Sequence, residues 1–201
     1  MREPTEPRIS PRIQTERLLL RQPEPEEAPS VVAFYEANRE HHGPWDPPRP
    51  PPFYRGDHWK ARLGHNRREF FEDRSLRTFL FEREAPLGPI LGAVNLSSFV
   101  RGPFQSCCLG YSLDASVVGR GYMSEAIQGL TAFAFESLDL HRVEANYVPT
   151  NVRSGATLRR CGFQVQGYAR DYLYIDGAWR DHVLTALTNP DPSPPPSARP
   201  G

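Results

Sequence analysis

The spacing of apolar residues changes period many times along the chain. "RIQTERLLLR" (12–21) ends in an apolar run of strand character. From Glu27 to His42, Val31, Val32, Phe34, Tyr35 and Asn38 recur at helical spacing, and Pro29 sits where a first helical turn tolerates it. A second helical stripe, between His58 and Arg74, contains Trp59, Leu63, Phe70 and Phe71. "RTFLFER", "PILGAVNLSSFV" and "FQSCCLGYSL" follow as three strands with short Gly/Pro turns between them, an antiparallel meander. Met123, Ala126, Ile127, Leu130, Phe133, Ala134 and Leu138 then fit a long helix. "HRVEANYV" returns to strand, Asn151 is placed to cap another helix, and Gly162 to end it in a left-handed conformation. Two last strands flank Asp176-Gly177, a tight hairpin turn. The order β-α-α-β-β-β-α-β-α-β-β predicts a single mixed α/β domain with about seven strands and about four helices.

Proline sets its limits. Only Pro149 lies between Pro103 and Pro190, so the second half is expected to be unbroken ordered structure. "NPDPSPPPSARPG" is too polar and proline-rich to bury an apolar face, so residues 190–201 are expected to be a disordered tail and residues 1–11 a flexible opening segment, with the domain over 12–189. "GPWDPPRPPPF" (43–53) predicts a long extended loop, and long ordered loops are frequently functional.

The 201 residues suit one well-buried domain. No apolar run is long enough to span a membrane, and the opening carries no export-type apolar stretch. Three cysteines, two of them adjacent (Cys107, Cys108), make no paired framework, so a reduced, cytoplasmic protein is expected. Twenty-four basic residues balance 24 acidic ones, which argues against direct binding of nucleic acid.

The stretch "VVGRGYMSEA" (117–126) places two glycines just before the long helix. Glycines there let backbone N–H groups converge, and the helix start adds unpaired donors and partial positive charge, an arrangement that binds phosphate. No Gly-Lys-Ser/Thr follows, and the third glycine of a dinucleotide fingerprint is missing. The segment resembles the signature of the GNAT acetyltransferase family, Gln/Arg-x-x-Gly-x-Gly/Ala. Gly121 matches, Gly119 is an additional glycine, and Val118 and Met123 depart from the pattern. From about Thr15 to Asn189, "RLLLR", "PWDP", "VRGPF", "LGYSL", "GRGYMSEA", "HRVEANYVPTNVRSG", "CGF" and "GYARDYLYIDGAWRDHVLTAL" are similar to the RimJ type, ribosomal-protein alanine N-acetyltransferases.

The resemblance implies a mostly antiparallel twisted sheet splayed between its fourth and fifth strands, near Leu109–Leu113 and Arg142–Val148. Acetyl-CoA would be the co-substrate, its pantetheine arm on backbone groups of Tyr111, Ser112 and Leu113. Its pyrophosphate would lie on Gly119, Arg120, Gly121, Tyr122, Met123 and Ser124. Asn151 and Ser154 match the family's Asn-x-x-Ser. Asn151 serves as helix cap, cofactor contact or both, and Ser154 is placed near the departing sulfur. The tyrosine that many relatives use as acid falls at Leu158, which cannot donate a proton. The acceptor would be a protein N-terminus, an alanine of a small-subunit ribosomal protein, and ribosome association would go with it.

The general base stays open. Related enzymes place a glutamate where this chain has Asn146, leaving Glu144 and Asp46 as candidates, each with surface ion pairing as its bland alternative. Trp45 and Tyr172 are candidates for the acceptor groove, with ordinary packing as theirs. A free α-amine has a pKa of about 7.7–8.0, so roughly a tenth or more is neutral near neutral pH, whereas a lysine amine costs about 3 kcal/mol more to deprotonate. Lacking an acid at 146, the chain is better suited to an α-amine. The alternatives are acetylation of a small-molecule amine and a weakly catalytic ribosome-assembly factor on the same fold. His41 and His42 point about 100° apart on a helix and no spaced Cys/His set exists, so no metal is expected.

Overall fold

A computed structural model describes residues 9–192. Most of the expected opening segment and of the proline-rich tail lies outside those residues. Eight strands form one sheet: β1 (Arg12–Gln14), β2 (Leu18–Arg21), β3 (Leu76–Glu82), β4 (Gly92–Val100), β5 (Ser106–Leu113), β6 (Arg142–Tyr147), β7 (Gln164–Ile175) and β8 (Ala178–Thr188). Their spatial order is β1-β2-β3-β4-β5-β6-β8-β7. Every neighbouring pair is antiparallel except β5 and β6, which run parallel. The helices are α1 (Ala28–Ala37), α2 (Arg39–His42), α3 (Gly56–Phe71), α4 (Tyr122–Glu136) and α5 (Val152–Arg160).

The element order agrees with the hydrophobic pattern, and the two additional elements have local causes. The first apolar run divides because Thr15 turns the chain: its N–H donates to Leu18 O at 2.9 Å and its hydroxyl accepts from Leu18 N at 3.1 Å. The helix expected from Glu27 to His42 breaks at Asn38. That side chain donates to Phe34 O at 2.9 Å and to Asp114 Oδ2 at 2.8 Å, and accepts from Ala115 N at 2.8 Å. It thus competes with the helical ladder and ties the break to the end of β5. The proline-rich loop is less extended than its composition predicts, since Pro51–Tyr54 winds into a 3-10 turn whose first positions need no N–H donor. Asp176 and Gly177 make the hairpin turn with φ of +48° and +74°, and Gly162 follows α5 at φ +89°.

Helices cover both sheet faces. α4 turns Met123, Ala126, Ile127, Leu130 and Ala134 onto Leu18, Leu20, Leu80, Val94, Leu109 and Val143, with Leu158 of α5 in the same cluster. Each large side chain buried there contributes about 1.5–3 kcal/mol. On the other face α1 and α3 pack Val31, Phe34, Tyr35, Trp59 and Leu63 against Phe79, Phe81 and Ala93. The alternation of β3 feeds both clusters: Leu76 and Leu80 face α4, Phe79 and Phe81 face α1 and α3.

Candidate active site

β5 and β6 pair only from Ser106–Arg142 to Cys108–Glu144 and then part. Each is held on its far side, β5 by β4 and β6 by β8, so a gap opens between two fixed strands. Asp114 N donates to Leu91 O at 2.8 Å, which fixes the alternation along β5. Ser112 therefore turns its backbone groups toward Ala93, while Tyr111 and Leu113 turn theirs into the gap; Leu109 sits at its root, its N–H within the pairing to Glu144 and its carbonyl toward the gap. Of the three residues expected to offer backbone contacts there, Tyr111 and Leu113 do so and Ser112 is spent within the sheet. One of these groups already has a partner, since Leu113 O accepts from His42 Nε2 at 2.9 Å.

Beyond the gap the chain reaches the glycine loop. Asp114 caps a short 3-10 turn through Ser116 N at 2.8 Å, and the bonds from Asn38 and Ser116 hold its carboxyl below the usual range against the opposing effect of burial. Gly119 and Gly121 then adopt φ of +86° and +80°, a region costly for residues with a Cβ, and Gly121 caps α4. The N–H groups of Tyr122, Met123 and Ser124 belong to the first helical turn and have no acceptor within the helix. Side chains in this stretch turn elsewhere: Met123 is in the core, Ser124 Oγ accepts from Arg160 Nη1 at 3.1 Å, and Arg120 donates to Ser116 O at 3.3 Å. What the loop presents is backbone, with a helix dipole behind it.

Asn151 caps α5, its Oδ1 accepting from Ser154 N at 3.1 Å. This cap sets Ser154 against β5, with its Oγ 2.7 Å from the Tyr111 hydroxyl. Burial pushes the Tyr111 phenol up to about 12, a shift the bond to Ser154 partly offsets, so the group stays protonated and able to donate. Tyr147 closes in beside them: a Cβ on Gly155 would stand 2.8–2.9 Å from its ring and hydroxyl. Leu158 is buried in the core. The Tyr111 hydroxyl is a candidate site group that sequence reasoning missed. The strand alternation placed its backbone, but its meeting with a serine 43 positions away leaves no trace in spacing.

The acceptor-side candidates divide. A cavity of about 380 Å³ lies between the proline-rich loop and the tip of the β7–β8 hairpin, lined by Arg39, His42, Asp46, Arg49, Tyr54 and Asp176 among others. Asp46 pairs with Arg49, whose guanidinium also lies over the rings of Tyr35 and Phe53 at 4.4 and 4.8 Å. Burial nonetheless raises the Asp46 carboxyl, with Arg49 and His42 opposing. Burial lowers His42, whose Nδ1 is enclosed without a hydrogen-bond partner. Trp45 is exposed and outside the cavity lining. Glu144 lies at the root of the gap and accepts from Arg142 Nε at 2.7 Å. Asn146, on the same face of β6, donates to the Tyr172 hydroxyl at 3.0 Å, and Tyr172 in turn packs against His182 at 5.0 Å. Tyr172 thus borders the gap rather than the cavity.

A family model for an acetyltransferase (GNAT) domain matches residues 17–164. Over 184 residues the chain is 42% identical to the ribosomal protein uS5-alanine N-acetyltransferase of Escherichia coli (strain K12), covering 91% of this chain and 93% of that one. Among solved structures, the ribosomal-protein-S5-alanine acetyltransferase of Vibrio fischeri superposes with a TM-score of 0.85 at 32% identity, covering 93% of this chain and all 100% of its own. Mycobacterium smegmatis RimJ in complex with CoA-disulfide superposes at 0.80 with 27% identity, over 89% of this chain and 86% of that one. No helix among the described residues is long and apolar enough to cross a membrane.

Proposed function

The chain belongs to the GNAT acetyltransferase family, and from that premise we propose that it moves the acetyl group of acetyl-CoA to the N-terminal α-amine of a protein, an alanine of a small-subunit ribosomal protein. The observation that carries the reading is the β5–β6 gap, bounded by the glycine loop at the end of β5 and bordered by the Tyr111–Ser154 hydroxyl pair. These residues fit acetyl-CoA. The Leu109 carbonyl and the backbone groups of Tyr111 suit pairing with a pantetheine arm, and the N–H groups of Gly119, Gly121, Tyr122, Met123 and Ser124 suit its phosphates. The 42% identity to an enzyme named for uS5-alanine supports the acceptor class.

In the reaction the amine nitrogen bonds to the thioester carbon, and a backbone N–H of β5 facing the gap stabilises the oxyanion. The C–S bond then breaks, and the Ser154 hydroxyl, backed by Tyr111, supplies a proton to the departing sulfur. Asp46, made more basic by its burial, receives the acceptor's proton, while Glu144 is held by Arg142. Tyr172, Trp45 and the cavity between the proline-rich loop and the hairpin tip guide an extended N-terminus. Ribosome association and a cytoplasmic location follow from such an acceptor.

The test uses two peptides of one sequence with an internal lysine, one with a free N-terminal alanine and the other with that amine blocked. Acetylation of the free peptide alone is expected. Comparable rates on both, or faster turnover of small amines, would overturn the acceptor assignment.

A further inference from the structure

The turn between β1 and β2 is stapled to the glycine loop by one carboxylate. Glu125, in the first turn of α4, accepts from Thr15 Oγ1 at 2.6 Å, from Arg17 N at 2.7 Å and from Arg17 Nε at 2.7 Å. Burial alone would raise its carboxyl, but these hydrogen bonds and the guanidinium charge hold it below the usual range. Arg17 is equally committed. Its Nη1 donates to Arg120 O at 3.1 Å and its guanidinium covers the Tyr122 ring at 4.6 Å. A Cβ on Gly121 would stand 3.5 Å from its Nη2.

Two consequences follow from elementary chemistry. A carboxylate one turn into a helix whose N-terminus receives phosphates would repel them, and Arg17 cancels that charge. A trans peptide also points its C=O and N–H in opposite directions. The carbonyl of Arg120 and the N–H of Gly121 belong to one peptide plane, so holding the first on Arg17 aims the second away from that side chain. Glycine at φ +80° does not fix that plane by itself, because its backbone is permissive.

We propose that Arg17, oriented by Glu125, is a positioning residue for the phosphate loop: by holding the Arg120 carbonyl it fixes the 120–121 peptide with the Gly121 N–H toward the donor's pyrophosphate. This rests on the acetyl-CoA reading above, and it gives the first β-hairpin a part in donor affinity although that hairpin lines neither the gap nor the acceptor cavity.

The test compares acetyl-CoA with S-acetylpantetheine, which has the same thioester and arm but none of the phosphates. For Arg17→Ala, kcat/KM with acetyl-CoA is expected to fall about tenfold or more, the worth of a charge-assisted hydrogen bond. With S-acetylpantetheine it is expected to stay within about twofold of the wild type, because no phosphate is there to be positioned. Glu125→Gln, which keeps acceptors for Thr15 and the Arg17 N–H but loosens the guanidinium, is expected to show the same donor selectivity to a smaller degree. Equal losses with both donors would mean that Arg17 only supports the fold, and unchanged kcat/KM with both would mean that the loop keeps its own geometry; either result overturns the proposal. Calorimetry with CoA separates these outcomes from a deeper failure, since a wild-type protein that binds no CoA would remove the acetyl-CoA reading and this proposal together.

Discussion

On the proposed donor side of the β5–β6 gap the polar groups, apart from the Tyr111–Ser154 pair, are backbone groups, set by strand alternation and by glycines at φ +86° and +80°. On the proposed acceptor side they are side chains, Asp46 in the proline-rich loop, His42 at the end of α2 and Tyr172 in the hairpin. The proposed donor is the same molecule in every turnover, and backbone N–H and C=O groups, which are chemically alike whichever residue carries them, suit an unchanging partner. The acceptor must be told apart from other amines, and that discrimination needs side-chain chemistry on segments free to vary. Damage to the first side should therefore appear in acetyl-CoA terms, and damage to the second in acceptor terms.

The largest effect is expected from Gly121→Val. A branched side chain at φ +80°, close to Arg17, disfavours the loop conformation and crowds the phosphate cradle. CoA affinity measured by calorimetry should drop more than about a hundredfold while far-ultraviolet circular dichroism is retained. Near-normal affinity would break the donor-side assignment. Next, Ser154→Ala should lower kcat about 10- to 100-fold with little change in KM for acetyl-CoA, the signature of a bond that matters most in the transition state. Tyr111→Phe should act in the same direction, and the double variant should be hardly worse than the poorer single one because the two hydroxyls share one hydrogen bond. Steady-state kinetics decide this, and a rise in KM alone would make Ser154 a binding residue.

Asp46→Asn should cost about tenfold in kcat/KM for the acceptor at neutral pH, a modest loss for a general base because part of an α-amine is already neutral. The sign of its pH dependence is fixed by burial. The raised carboxyl accepts protons only above its own pKa, so wild-type activity should fall as pH drops through a value above the ordinary aspartate range. The variant should lack that limb, and an unchanged profile would assign the base elsewhere. The smallest effect is expected from Tyr172→Phe, which removes the acceptor of the Asn146 amide. Peptide KM should rise about threefold, as for the loss of one exposed hydrogen bond, with acetyl-CoA KM unmoved. A shift in acetyl-CoA KM instead would blur the division between the two sides.

The fold was legible in the sequence wherever a local period carried it. The spacing from Met123 to Ala134 marks α4, the alternation in β3 marks a strand with two covered faces, and Asn151 and Gly162 bracket α5 at its cap and exit. The loop glycines were legible for the same reason, since their requirement is local. What escaped were pairings across distance. Tyr111 meets Ser154, Arg17 meets Glu125 across 108 positions, and Asn38 leaves its helix to hold Asp114 and Ala115. Each is a side-chain contact made by the folded chain, with no periodic signal in either partner. The same limit explains why the two carboxylate candidates for the base stayed level in sequence. Only packing separates Glu144 beside Arg142 from Asp46 in a cavity.

The outermost strand, β7, bears on edge-to-edge association of the sheet. It is twelve residues long, pairs with β8 on one side only, and exposes Val165, Tyr168, Tyr172, Leu173 and Tyr174. Such an edge invites a second chain to add itself as a further strand, and then another. The ladder with β8 is irregular at two places, between Val165 and Gly167 and between Ala169 and Leu173, and in the second Asp171 sits at φ +47° with its N–H donated to Asp181 Oδ1 at 3.0 Å. Bulges bend the strand and put its outward donors and acceptors out of step, so no straight segment of an incoming chain can match them in register. The exposed aromatic row can then remain uncovered without seeding polymerisation through this edge.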